Sequence, residues 1–166
     1  MPVQNLQELL LFDLSSARTM EEAILANLSQ MEQATQDHQL KRAFEKHLDE
    51  TRAQVGRLDE CIRLIGGQPM NVIAHSVSAM SQDLQAFMEH QPSPEMLNLF
   101  LLEAAFKTEY FEMATYRGLL ESARAMGQSQ VAELLLENLK EEEDAARTVS
   151  DTSYELLRRL AKVMKP

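Results

Sequence analysis

Tryptophan is absent, glycine and proline occur five times each, and the 166 residues contain one cysteine. So few backbone breakers leave little room for the turns of a many-stranded β-protein. The abundance of Leu, Ala, Glu, Gln and Met points instead to an all-helical chain. The lone Cys61 excludes an internal disulfide framework and any Cys-x-x-Cys motif; it falls in an apolar seam and fits a small buried hydrophobe in a reducing compartment. No apolar stretch approaches the roughly 20 residues that span a bilayer, and no basic region precedes a signal-like apolar run. A cytoplasmic protein without a membrane partner is expected. Basic charge is scarce as well, with 16 Lys and Arg against 26 Asp and Glu and a net charge of −10. Phosphate binding needs a basic footprint, so nucleic acid is not an expected partner and a DNA-coating cage is disfavoured. Gly-rich phosphate loops and nucleophile motifs are absent too.

What the chain does have is helical periodicity over most of its length. This length suits a single domain, 1–166, able to bury a core without disulfides. Asn5 with Glu8 has capping-box spacing and opens a first helix running to about Thr35. Asp37 is the expected N-cap of a second, which Gly66-Gly67 ends. Residues 67–93 form a connection in which Ile73, Val77, Met80, Leu84 and Phe87 recur at helical spacing, predicting a short amphipathic crossover helix. Ser93 as N-cap and Pro94 at the first helical position start the third long helix. Gly127 stops it, and Ser129 is the expected cap of a fourth that reaches about Val163. Two antiparallel hairpins, 5–66 and 94–163, joined by a long crossover describe a four-helix bundle of the ferritin-like kind.

The four seams share one anomaly. On the second helix, steps of four and three give Leu40, Phe44, His47, Thr51, Gln54, Leu58, Cys61 and Ile65, apolar at both ends and polar in the middle, with Glu50 joining the same face. The first helix gives Leu10, Leu14, Ala17, Glu21, Ile24, Leu28 and Met31, with Arg18 on its shoulder. The third gives Leu102, Ala105, Glu109, Glu112, Tyr116, Leu119, Ala123 and Met126. The fourth gives Leu135, Leu139, Glu142, Ala146, Val149, Ser153, Leu156, Leu160 and Val163. Counted from the hairpin turns, Glu21 and Glu50 lie at equal heights, as do Glu112 and Glu142, to roughly 2–3 Å at 1.5 Å per residue. Glu109 lies one turn away, level with Arg18. Converging carboxylates in a low-dielectric interior require neutralisation. Three solutions fit the spacing: a dinuclear metal centre, arginine pairing from Arg18 and Arg57, or carboxyls held protonated.

These residues give the chain a resemblance to the YciE/YciF family of ferritin-like bacterial stress proteins. The resemblance runs over nearly the whole length and is carried by four stretches. They are Asp13-Leu14-Ser15-Ser16-Ala17; His47-Leu48-Asp49-Glu50-Thr51-x-x-Gln54-x-x-Arg57-Leu58; Glu109-x-x-Glu112-x-Ala114-x-Tyr116; and Leu139-x-Glu141-Glu142. It implies kinship with rubrerythrins and manganese catalases, a dinuclear metal, and an activity that is not established. Glu50, Glu109, Glu112 and Glu142 then stand at the family's central carboxylate positions, with His47, Gln54 and Arg57 at its flanking polar ones. The chain departs from the pattern where Arg18 replaces a first-helix Glu, Tyr110 replaces a His, Ala146 replaces an acidic residue, and Glu21 takes an apolar position.

The expected site is therefore a pair of iron or manganese ions on Glu50, Glu109, Glu112, Glu142, Glu21 and His47, with Arg18, Gln54, Arg57 and Tyr116 around them. An oxygen-rich set of this kind suits iron or manganese better than structural zinc. Were the metal redox-active, oxygen or peroxide chemistry would be the reaction class. The alternative is a metal-free structural or interaction bundle in which Arg18 neutralises the core carboxylates; if Arg18 instead turns outward, Glu21 supplies the ligand it replaces. His38, His75 and His90 are expected at the surface, the run Glu141-Glu142-Glu143-Asp144 is expected to turn only Glu142 inward, and a homodimer is expected from the Met- and Leu-rich outer faces.

Overall fold

Five helices follow from these signals in a computed structural model that describes residues 3–163. They are α1 Leu6–Ala34, α2 His38–Leu64, α3 His75–Glu89, α4 Pro94–Ala125 and α5 Ser129–Val163. Asn5 Oδ1 accepts from the Glu8 backbone N–H at 3.0 Å, and the Glu8 carboxylate reaches back to the Gln4 N–H at 2.7 Å. Asp37 accepts from the N–H groups of Gln39 and Leu40, and Ser93 caps α4 with Pro94 at its first position. Ser129 is the first residue of α5 rather than its cap: the Gln128 carbonyl already accepts from the Ala132 N–H at 2.9 Å. Both long-helix C-termini close alike. Gly66 (φ +74°) and Gly127 (φ +69°) take left-handed backbone, and the next residue's N–H returns to the carbonyl five positions earlier.

α1 pairs with α2 and α4 with α5; α2 packs against α5 and α1 against α4, while α3 lies across α1 and α4. The crossover is tied down by the Ser15 hydroxyl, which accepts from the Met70 N–H at 3.0 Å. At the opposite end, Thr35 donates to Asn98 Oδ1 at 2.6 Å, fastening the α1–α2 turn to α4.

Apolar side chains separate into two cores. One gathers the first half of α1, the end of α2, the end of α4 and the start of α5 around Leu14, Leu58, Leu119 and Leu135. The other gathers the opposite halves with α3 around Ile24, Phe44, Leu101 and Leu156. Nearly every seam position is buried, with Met126, Val149, Ser153 and Leu160 half-covered; the side chain of Val163 lies outside the described residues. Between the cores sits a buried polar layer of Glu21, His47, Thr51, Gln54, Glu109, Glu112, Asn138 and Glu142. No described helix is long and apolar enough to cross a membrane.

Candidate metal centre

The polar layer exists because each helix interrupts its seam at mid-length. Glu109 and Glu112, three residues apart on α4, project from one face towards Glu142 of α5 and His47 of α2. One donor atom from each of these four residues lies within 4.8 Å of the other three, and all four residues are buried. His47 Nε2 is 3.3 Å from Glu109 Oε1 and 3.8 Å from Glu142 Oε2, without hydrogen-bond alignment to either. Glu21, fully buried on α1, completes the ring and accepts from the Tyr116 hydroxyl.

A second tier holds this ring from the α2–α5 side. Gln54 Nε2 donates to Glu142 Oε1 and, at 3.0 Å, to Glu141 Oε2. Arg57 pairs with the same Glu141 oxygen and donates through Nε to Asn138 Oδ1 at 2.5 Å. The chain Arg57–Glu141–Gln54–Glu142 thus runs from a half-buried arginine into the centre.

Proton affinities follow from this packing. Burial raises the Glu21 carboxyl to about 7, with the Glu142 charge adding and the nearby Glu112 carboxyl and the Tyr116 hydroxyl opposing. Burial, then the surrounding glutamates, pushes Glu109 and Glu112 well above the ordinary carboxylate range. Glu142 is raised by burial, with Glu109, His47 and Gln54 holding it down. Burial alone would lower His47, yet Glu50 and Glu142 beside it raise its pKa overall. Burial and the Glu21 charge keep Tyr116 protonated, as the donor to that carboxylate. Cys61 lies outside the layer, its thiol pushed up to about 12 by burial.

The donors fit a hard divalent cation. Five buried carboxylate oxygens (Glu21 Oε2, Glu109 Oε2, Glu112 Oε1 and Oε2, Glu142 Oε2) and both His47 ring nitrogens have no hydrogen-bond partner. Buried polar atoms are rarely left this way, and unpaired carboxylates still less often. A mostly oxygen set with a single imidazole is unlike the Cys- and His-rich sets of structural zinc.

Several expected placements need correction. Arg18 does not enter the layer. It turns along the α1–α2 surface, where Nη1 meets Glu22 at 2.9 Å and Nε meets Asp59 at 2.5 Å, both nearer than any core carboxylate and reached while the side chain keeps contact with solvent. Arg18 therefore leaves the core carboxylates unneutralised, and the cation-mimic reading falls. Glu50 stands at the rim, its side chain 26% exposed, paired with Lys46 and 3.6 Å from His47 Nδ1. Those partners lower its pKa, His47 foremost, and it lies outside the four-residue cluster. Arg57 braces Glu141 instead of neutralising the centre. Glu141, read as solvated, is half-buried, and Asn138, fully buried one turn before Glu142, was missed although its i−4 spacing from that residue marks it. Tyr110, at the family's His position, is exposed. His38, His75 and His90 are exposed as expected.

A family model described as "Domain of unknown function (DUF892)" matches residues 5–162. Protein YciF of Escherichia coli (strain K12) is 27% identical over 145 residues, covering 86% of each chain. The crystal structure of the E. coli stress protein YciF superposes with a TM-score of 0.89 at 24% identity, covering 94% of this chain and 99% of that one. A dodecameric thioferritin, the bacterioferritin-related protein of Bacteroides fragilis, superposes with a TM-score of 0.74 at 14% identity, covering 96% and 92%. These likenesses establish a ferritin-like all-α fold. With the family match running from the first helical cap almost to the end of α5, the chain belongs to the DUF892 family, as a YciF-like member.

Proposed function

We propose that this protein is a stress-related member of its family whose bundle centre binds a pair of iron or manganese ions on Glu21, His47, Glu109, Glu112 and Glu142, with Glu50 at the outer edge. The observation that carries this reading is the set of unpartnered carboxylate oxygens in a fully buried layer. With Arg18 engaged at the surface, no arginine among the described residues reaches those oxygens. A redox-active pair of ions held there would supply oxygen or peroxide chemistry. The chain's own part is to fix the donors: Tyr116 aims Glu21, Gln54 aims Glu142, and Glu50 faces His47 Nδ1, leaving Nε2 turned to the cluster. The E. coli relative is described as a stress protein, and a cytoplasmic setting is proposed for this chain.

The competing reading is a metal-free structural bundle whose carboxyls stay protonated, favoured by the raised pKa values of Glu21, Glu109 and Glu112. Elemental analysis of protein expressed in iron- and manganese-supplemented medium separates the two. One to two equivalents of metal per chain support the metal reading, and well under one after gentle purification supports the other. A homodimer through the outer face of the second hairpin, where Phe106, Tyr110, Tyr154 and Leu157 are exposed, completes the proposal. Light scattering at the monomer mass would contradict that part.

A further inference from the structure

Beside the polar layer, between α2 and α5, lies a cavity of about 310 Å³ that ends at His47 and Glu109. Its walls are apolar, formed by Leu28 of α1, Phe44 of α2, Leu102 of α4 and Val149 of α5. The cavity stays open because the residues facing it are small on three helices: Ala43 on α2, Ala105 on α4 and Ala145 on α5. A larger apolar residue at buried Ala105, or at half-buried Ala145, would reach into the gap, whereas Ala43 is exposed. Polar groups in the lining are few. Inside, His47 Nε2 and Glu109 Oε2 have no hydrogen-bond partner; outside, the Lys46–Glu50 ion pair and Thr148 form a wet rim.

A greasy wall, a few convergent polar atoms at the blind end and a hydrated mouth are the features of small-molecule sites. The volume is about twice the roughly 150 Å³ cavity that holds one benzene ring, which sets the ligand at about ten non-hydrogen atoms. The inner end presents the His47 imidazole and the Glu109 carboxyl group, both without hydrogen-bond partners, which suits a neutral hydroxyl or carbonyl as the inward group. We propose that this cavity binds a small, mostly apolar organic molecule with one neutral polar end directed at His47 and Glu109. Its role as the substrate pocket of the centre rests on the metal reading above; its capacity to bind such a molecule does not.

The test uses 1-naphthol, a fused bicycle with one hydroxyl, titrated by fluorescence against the full-length protein, with metal content measured on the same samples. Saturable binding is expected, weakened at least tenfold by Ala105→Phe, which fills the cavity, with helix content and metal content unchanged. Should Ala105→Phe fail to fold, Ala145→Phe and the rim variant Thr148→Trp give the same expected loss from less buried positions. Saturable binding that these substitutions abolish supports the pocket even in protein that carries no metal, and in that case only the metal reading falls. Absence of saturable binding, or binding that survives all the folded filling variants, overturns the pocket, whatever the metal content.

Discussion

Glu112 is the residue on which metal and proton compete most directly, since it is fully buried and both its carboxylate oxygens lack partners. Burial favours its neutral form, as it does for Glu21 and Glu109. A carboxyl that holds its proton more tightly folded than unfolded stabilises the fold below its unfolded pKa. That advantage is lost as pH rises through the folded value. For Glu21 the window runs from 4.5 to about 7, and Glu109 and Glu112, also raised by burial, act in the same sense. His47, raised from 6.5, acts in the same sense over its own window. The metal-free protein should therefore melt at progressively lower temperature as pH rises from about 5 to 8, and saturating Mn²⁺ should remove most of that slope. Glu112→Gln should flatten the slope by raising the metal-free melting point at pH 8, an effect of order 1–3 kcal/mol, while lowering bound metal. A variant less stable than the parent at pH 8 without metal would contradict the assignment. Arg18, by contrast, belongs to the surface. Arg18→Glu should leave metal content unchanged and cost about 1 kcal/mol through loss of its pairs with Glu22 and Asp59. A rise in metal content on that substitution would show the side chain pointing inward.

Helix ends and helix pairs set the next level. Gly56, exposed within α2, and Gly127, beyond the end of α4, both face open space, so an added methyl clashes at neither. Backbone conformation alone decides the outcome. Gly127→Ala should destabilise by about 1 kcal/mol, because φ +69° is strained for any residue with a Cβ. Gly56→Ala should stabilise by up to about 1 kcal/mol through helix propensity. Opposite shifts of the urea midpoint are the check. Across the α2–α5 pair, Gln54 holds Glu142 and Glu141 together without belonging to the ligand set. Gln54→Ala should weaken metal affinity by about 10–100-fold, as loss of ligand-orienting contacts commonly does. An unchanged affinity in a competition titration would reduce Gln54 to packing.

The molecule as a whole is two apolar cores clamped around one polar layer. Much of that layer was legible beforehand. A seam residue faces inward by helical geometry, and the hairpin turns fix its height, so Glu21, His47, Gln54, Glu109, Glu112 and Glu142 follow from spacing alone. Shoulder positions did not follow. Arg18 and Glu50 sit where a modest rotation chooses between core and solvent, and the choice lay with Asp59 and Lys46, surface partners whose proximity only the packed hairpin reveals. Arg57, expected around the centre, reaches it only through Glu141 and Gln54, a route that spacing within one helix does not give: Glu141 lies on another helix, 84 residues away. Electron density decides the rest. Anomalous difference maps, recorded from crystals on both sides of the iron and manganese absorption edges, should show peaks bounded by His47, Glu109, Glu112 and Glu142. Featureless maps at that point, with the carboxyl groups closed on one another by hydrogen bonds, would contradict the account.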